Sequence, residues 1–155
     1  MKLNYLIIPL CVFLVAFLGN LLTTKGISGW YKTLKLPSIA PPGAIIGGVW
    51  TLIFILGMIA VLLFWNPKPV QNFEMIVILL IVNGILNILW SYLFFNLHLL
   101  GWPIVEMIIL NLTTIALIIL LGLSGKIISG ILLIPYFLWV TFATYLAYTI
   151  YLLNR

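Results

Sequence analysis

Five long apolar stretches dominate this sequence and restrict what the chain can fold into. They cover about residues 5–22, 44–65, 73–97, 104–123 and 127–153. Each is close to the roughly 20 residues that an α-helix needs to cross the hydrocarbon core of a bilayer. Hydrophobic residues make up 65% of the chain and charged residues only 6%, which cannot provide a water-soluble surface. We therefore expect an all-α membrane protein, a single domain over residues 1–155 that contains a bundle of five transmembrane helices.

Prolines mark where several of these helices should end, begin or bend. Pro67 and Pro69 follow the second stretch, and proline cannot continue a helix. Pro103 suits the first position of the fourth helix, whereas Pro135 lies inside the fifth helix and is expected to bend it. The first stretch is longer than the ~7–15-residue apolar core of a signal peptide, so we expect it to remain as the first helix.

The longest polar connection, residues 23–43, joins the first two predicted helices. It contains Trp30, Tyr31 and several prolines, among them Pro42. Tryptophan and tyrosine favour the membrane interface, and proline restricts the backbone. We expect an ordered segment that lies over one mouth of the bundle, and we call it the lid loop.

Charged and metal-binding residues are few. Seven Lys or Arg residues and two carboxylates give a net charge of +5, and most of the basic residues lie in the connections. This pattern favours contact with anionic lipid headgroups over nucleic acid. With one His, one Cys and no Asp, we expect no metal site, no hydrolytic triad and no required cofactor. The short tails and the absence of a transit signal predict an integral protein of a bacterial plasma membrane.

The two carboxylates occupy similar predicted positions. Glu74 and Glu106 fall in the first turns of the third and fourth predicted helices, where the positive end of the helix dipole stabilises an anion. No ionisable residue is expected at mid-membrane depth, where proton and ion pumps place theirs. The sequence therefore argues against energised transport.

The third predicted helix carries a stripe of amides and aromatic rings. Asn83 and Asn87 are spaced i, i+4, and Trp90 and Phe94 continue the same face with Ser91 beside them. Asparagines inside a membrane can join neighbouring helices by hydrogen bonds, each typically contributing ~0.6–2 kcal/mol. They can also line a ligand pocket, in which a few polar groups are set in an apolar wall. Both interpretations fit the sequence, and Asn87 could serve both.

The fifth predicted helix carries a comparable face. Trp139, Ala143 and Leu146 are spaced i, i+4 and i+7, and the small Ala143 beside the large Trp139 suggests a notch. Trp50 lies near the start of the second helix, close to the lid loop. As an alternative, Ala143 and Ala147 have the small-xxx-small spacing that suits close helix packing.

Three segments carry specific motifs. They are residues 30–51 (WYKTLKLPSIAPPGAIIGGVWT), 86–95 (LNILWSYLFF) and 135–144 (PYFLWVTFAT). Together they resemble the tryptophan-rich sensory protein or translocator protein family, also called the peripheral-type benzodiazepine receptor family. The resemblance covers essentially the whole chain, and the family's five-helix architecture matches the five apolar stretches.

The resemblance implies a ligand pocket inside the bundle, under the lid loop. Family members bind porphyrins such as protoporphyrin IX and haem, some bind sterols, and benzodiazepine and isoquinoline carboxamide drugs are synthetic ligands. By matching position, the implied pocket residues are Trp50, Asn87, Trp90, Trp139 and Ala143, with Tyr31 and Pro42 from the lid loop. The predicted site also includes Asn83, Phe94 and Leu146. The resemblance further implies a homodimer, and the small Gly84 on the third helix permits a close interface.

Three functions are compatible with these observations. The first is binding of tetrapyrroles in sensing or transport, with the flat ligand stacked on tryptophan rings. The second, which the resemblance implies, is light-dependent oxidative breakdown of a bound porphyrin, with Trp50 and Trp139 as electron donors. The third is sterol or lipid handling, for which Leu146, Tyr151 and Arg155 fit a loose sterol-binding pattern.

Overall fold

The structure, a computed structural model, describes residues 3–66 and 70–155, which form helices joined by short connections. The helices are α1 (Asn4–Ile27), α2 (Gly43–Trp65), α3 (Phe73–Ser91), α4 (Trp102–Leu123), α5 (Ile127–Leu132) and α6 (Ile134–Asn154). A 3₁₀ turn, Trp30–Thr33, follows α1, and a π-helical turn, Tyr92–Asn96, follows α3. Within the described residues, five segments are long and apolar enough to span a membrane. The prediction of a five-helix transmembrane bundle is confirmed.

The first helix is longer than predicted. It continues to Ile27 rather than to residue 22. The hydroxyl groups of Thr23 and Thr24 donate hydrogen bonds of 2.8 and 2.9 Å to carbonyl oxygens one helical turn earlier. Because both threonines satisfy their polar groups within the helix, they do not end it. The lid loop is therefore shorter than predicted and covers residues 28–42.

The third span departs from a regular helix at the end near the lid loop. The sequence predicted one helix to residue 97, but α3 ends at Ser91 and the π-helical turn continues to Asn96. This turn packs against the end of α1. A Cβ atom added to Gly26 would lie 2.7 Å from both the carbonyl oxygen and the Cβ atom of Phe95. Glycine, which has no side chain, allows this close approach.

The fifth span is interrupted near its proline, as predicted. The break between α5 and α6 falls at Leu133, two residues before Pro135. Proline donates no N–H, and its ring clashes with the carbonyl group four residues earlier, so a continuous helix is unfavourable there. The second span agrees with its predicted bounds within one residue. Its predicted stop signals, Pro67 and Pro69, lie outside the described residues.

The spans are arranged as a ring. α1 packs between α2 and α3, and α4 packs between α3 and the α5–α6 pair. α2 completes the ring against α5 but contacts α6 only weakly. Gly84 of α3 faces α1, where an added Cβ atom would lie 3.4 Å from Val15. Gly84 therefore serves packing within the chain, and the homodimer stays a prediction.

Among the described residues, two clusters of buried and mostly apolar side chains lie in the interior of the ring. The α5-side cluster contains Ala60, Phe64, Ile76, Leu117, Leu121 and Leu133. The lid-side cluster contains Ile53, Met107, Leu110, Tyr136, Val140 and Ala147. In a bilayer, close packing and hydrogen bonds between spans hold a bundle together, because lipid tails are as apolar as the side chains. Four of the predicted site residues, Trp50, Trp90, Trp139 and Ala143, pack against the lid-side cluster.

Candidate functional site

Four of the predicted site residues converge on the lid-side cluster. Trp50 of α2, Trp90 of α3, and Trp139 and Ala143 of α6 are partly buried and pack against it. The ring of Trp50 also lies 6.2 Å from the ring of Tyr136, measured between centroids. Three different spans thus contribute one tryptophan each, and we call these three side chains the tryptophan wall. Large aromatic rings of this kind stack on flat ligands and bury a large apolar area.

A buried polar network crosses the bundle beside this wall. Asn83 Nδ2 donates hydrogen bonds to Thr113 Oγ1 and Thr114 Oγ1, each at 3.0 Å. Tyr136 Oη donates to Asn83 Oδ1 at 3.0 Å, and Asn87 Nδ2 donates to Tyr136 Oη at 3.1 Å. The network joins α3, α4 and α6. Both asparagines therefore link neighbouring spans, as the packing interpretation predicted.

The role of Tyr136 was missed in the sequence. The residue is only 8% exposed, and its hydroxyl group lies at the centre of the polar network. A tyrosine hydroxyl within an apolar stretch needs a hydrogen-bond partner, and this requirement was the available signal. Tyr136, Ala143 and Ala147 share one face of α6 because they are spaced i, i+7 and i+11. The network therefore fixes the rotation of α6 that turns Ala143 inward.

Aromatic rings anchor the lid loop on the π-helical turn. Trp30 stacks on His98, with ring centroids 4.6 Å apart, and meets Phe94 edge-on at 5.2 Å. Tyr31 contacts Phe94 at 6.2 Å. Phe94 in turn stacks on Trp90, with centroids 5.4 Å apart and an interplanar angle of 8°. A continuous series of ring contacts thus connects the lid loop to the tryptophan wall.

A second anchor ties the lid loop to the end of the last span. The backbone N–H of Lys35 donates to Asn154 Oδ1 at 2.9 Å, and Asn154 Nδ2 donates to the Lys35 carbonyl oxygen at 3.0 Å. Between the two anchors, Tyr31 is partly buried, and this burial raises the pKa of its hydroxyl above the usual value. The ring contacts of Trp30 and Tyr31 and the hydrogen bonds of Lys35 therefore hold residues 30–35 of the lid loop in place, as expected of an ordered segment over the bundle.

The remaining predicted site residues lie farther from the cluster. Pro42 is exposed at the N-terminal cap of α2, and Leu146 is partly buried on α6. Within residues 3–66 and 70–155, the side chains that pack on the lid-side cluster do not include those of Tyr31, Pro42 or Leu146. Tyr31 reaches the tryptophan wall through Phe94.

Comparison with known proteins identifies the family to which this arrangement belongs. The model of the TspO/MBR family matches residues 7–153. The chain belongs to the TspO/MBR family. It is similar to the tryptophan-rich protein TspO of Bacillus cereus, with 39% identity over 128 residues, 81% of this chain and 80% of the relative. TspO of Archaeoglobus fulgidus shares 32% identity over 150 residues, 94% of this chain and 93% of the relative.

More distant relatives extend beyond bacteria and archaea. The human translocator protein is 27% identical over 128 residues, 79% of this chain and 73% of the relative. These matches confirm the family resemblance that the three motifs predicted. Together with the five spans, the bacterial relatives place this TspO/MBR family member in a bacterial membrane as an integral protein.

In this TspO/MBR family protein, Glu106 lies inside the bundle, and its predicted position was wrong. α4 begins at Trp102, earlier than predicted, so Glu106 falls beyond the first turn. It shares the buried face of α4 with Pro103 and Leu110. The residue is 5% exposed, and within the described part of the chain neither carboxyl oxygen has a hydrogen-bond partner. Glu74, in contrast, is exposed in the first turn of α3, as predicted.

Two indole N–H groups, like the carboxyl group of Glu106, are buried without a hydrogen-bond partner among the described residues. The Nε1 atoms of Trp90 and Trp139 are buried and have no hydrogen-bond partner among the residues that the structure describes. An indole N–H can only donate a hydrogen bond, and most buried polar groups in proteins have a partner. Near the lid-side cluster, two donors and one carboxyl group are thus available, whereas the Asn83 amide is already engaged.

A shallow groove of about 520 Å³ lies on the outer face between α4 and α6. It is lined by Ile104, Ile108, Asn111, Leu112, Ile115, Phe137, Thr141, Thr144, Tyr145 and Tyr148. Asn111 Nδ2 donates to Thr141 Oγ1 at 2.9 Å and joins the two helices there. None of the predicted pocket residues lines this groove, so it is separate from the tryptophan wall.

Proposed function

We propose that this protein binds tetrapyrroles such as protoporphyrin IX and haem inside the bundle, and that it acts in sensing or transport. The convergence of Trp50, Trp90 and Trp139 on one cluster beneath an anchored loop carries this proposal. A flat macrocycle presents the extended π-face that such rings stack on. Benzodiazepine and isoquinoline carboxamide drugs suit the same wall, because their aromatic rings can stack on the tryptophan rings.

The packing of the spans supports an entrance between α2 and α6. α2 packs closely on α5 but only weakly on α6. A Cβ atom added to Gly43, Gly47 or Gly48 would meet no atom of the described residues within 4 Å, so the first turns of α2 border open space. We infer that a hydrophobic ligand enters from the membrane at this seam, beside Trp50 and Trp139.

The lid loop supplies charges that suit the propionate groups of a porphyrin. Lys32 and Lys35 are exposed in this loop, above the tryptophan wall. Hydrogen bonds between ammonium and carboxylate groups are stronger than those between neutral groups. Burial of an unpaired carboxylate is costly, so the propionates are expected to stay at the membrane surface while the macrocycle occupies the bundle.

Titration of protoporphyrin IX into the detergent-purified protein, followed in the dark by tryptophan quenching, tests this proposal. Trp139→Leu should weaken binding about tenfold, equivalent to about 1.4 kcal/mol, because it removes one stacking surface. Trp102→Leu is the matched control, since Trp102 is 68% exposed at the start of α4. Equal affinities for the wild type and Trp139→Leu would contradict the proposed site.

The same complex separates the two alternative functions. Illumination that converts the bound porphyrin to a product, and that requires Trp50 and Trp139, would support light-dependent oxidative breakdown. If porphyrin binding is not saturable, sterol or lipid handling becomes the better proposal. The proposed homodimer is tested by the mass of the detergent-solubilised protein, and a monomeric mass would contradict it.

A further inference from the structure

Glu106 is a buried carboxyl group that the tryptophan wall does not account for. It lies on the inward face of α4, between Pro103 and Leu110, and beside Met107 of the lid-side cluster. Met107 and Leu110, one and four residues after Glu106, both belong to that cluster. Glu106 is therefore at the same level of the bundle as the side chains that surround the lid-side cluster.

The surrounding side chains leave this carboxyl group unsatisfied. Asn83 accepts a hydrogen bond from Tyr136 and donates to the threonines of α4. Lys32 and Lys35 are exposed in the lid loop. Within the described residues, neither oxygen of Glu106 has a partner. An unpartnered buried polar group typically costs about 1–3 kcal/mol, and a charged one costs more. A leucine at this position would avoid that cost, so the carboxyl group points to a partner outside the chain.

We propose that Glu106 is a specificity-determining residue of the pocket and accepts a hydrogen bond from an N–H group of the bound ligand. This inference rests on the proposed function, under which that group is an inner pyrrole N–H of a free-base tetrapyrrole. The inner N–H groups of a planar ring point at its centre, so the contact requires a macrocycle that is bent out of its plane and turns them towards Glu106. The indole N–H groups of Trp90 and Trp139 complement it, because they donate to acceptor atoms. One acceptor group and two donors favour ligands with polar ring atoms over plain acyl chains.

A matched pair of ligands isolates the N–H contact. Protoporphyrin IX and its palladium(II) complex share the same flat periphery and propionates. Only the free base has inner N–H groups, and square-planar palladium(II) does not take up an axial carboxylate. Both ligands should contact the tryptophan wall equally well, so a difference in their affinities reports on the centre of the ring.

The experiment measures the affinity of both ligands for the wild type, Glu106→Leu and Glu74→Leu. Glu106→Leu removes the acceptor, so it should weaken binding of the free base about tenfold, equivalent to about 1.4 kcal/mol, and leave the palladium complex unchanged. Glu74→Leu is the matched control, because Glu74 is the exposed carboxylate of α3 and should change neither affinity. The wild type alone should prefer the free base, which provides a readout that does not depend on folding of a variant.

The other results overturn the inference in distinguishable ways. Equal weakening of both ligands by Glu106→Leu would show that the residue supports the fold of the pocket and does not recognise N–H groups. Unchanged affinities, or a wild type without preference for the free base, would exclude a contact to the ring nitrogens. If the wild type binds neither ligand saturably, the proposed function itself fails, whatever the variants do.

Discussion

The two clusters inside the bundle differ in how completely their side chains are buried. In the α5-side cluster, Phe64, Ile76 and Leu117 are at most 2% exposed. Gly130 brings α5 close to α4 nearby, because an added Cβ atom would lie 3.2 Å from the carbonyl oxygen of Ile118. Buried side chains and close helix approach of this kind hold spans together in a membrane.

The lid-side cluster is surrounded by polar groups and by partly buried rings. Glu106, Trp90 and Trp139 carry buried polar atoms that have no hydrogen-bond partner among the described residues. Near the α5-side cluster, the buried polar atom without such a partner is the hydroxyl oxygen of Ser129. Buried polar atoms without partners add nothing to packing but can bond to a ligand. Under the proposed function, the α5-side end of the bundle therefore stabilises the fold and the lid-side end binds the ligand.

Substitution in the α5-side cluster should produce the largest loss of stability. Leu117→Ala removes a buried side chain and should lower the free energy of unfolding by about 2–5 kcal/mol, because it leaves a cavity. Thermal unfolding in detergent measures this loss, while porphyrin affinity at a temperature where the variant is folded should not change. Ile119→Ala is the control on the same helix, since Ile119 is 55% exposed. A loss of porphyrin affinity in Leu117→Ala would erase the distinction between the two ends.

Substitution in the polar network should lower stability less than Leu117→Ala does, and it should also weaken porphyrin binding. Tyr136→Phe leaves Asn83 Oδ1 without its donor, which should cost about 1–3 kcal/mol. It should also weaken porphyrin binding, because the network fixes the face of α6 that carries Ala143. Tyr145→Phe serves as the control, as Tyr145 is 60% exposed on the same helix. Intact porphyrin affinity in a destabilised Tyr136→Phe protein would separate the network from the site.

The sequence predicted the spans well because the bilayer sets their length. An apolar stretch of about 20 residues has few alternatives to a transmembrane helix, so the five spans were found with their approximate bounds. The departures occur where contacts between spans decide the local structure. Gly26 allows α1 to pack closely on the π-helical turn. The spacing of apolar residues within the third stretch cannot predict this contact, because it depends on another span. Likewise, the sequence predicted a bend at Pro135, whereas the helix is interrupted two residues earlier, at Leu133.

The sequence identified residues of the predicted site, but it did not predict which side chains they contact. The tryptophans were singled out because of their spacing and the family resemblance, and the structure brings Trp50, Trp90 and Trp139 together. The burial of Glu106 was not predicted. α4 starts two residues earlier than expected, so Glu106 falls beyond its first turn, and the packing of α4 on α3 and α6 decides that this face points inward. The partners of Asn83 lie on two other helices, and pairing between helices cannot be read from one chain without their packing.

The smallest effect is expected at the lid loop, which borders the binding end but lies outside both clusters. Asn154→Ala removes two exposed hydrogen bonds to Lys35 and should lower the free energy of unfolding by only about 0.5–1.5 kcal/mol. Local opening of the loop should increase more visibly, because Lys35 then has one anchor fewer, so trypsin should cleave after Lys32 and Lys35 faster. Thr149→Ala is the control, since its hydroxyl bonds only within α6, to the Tyr145 carbonyl oxygen. If bound porphyrin slows cleavage of both variants equally, the ligand holds the loop through the tryptophan wall; if it protects neither variant, the loop does not cover the site.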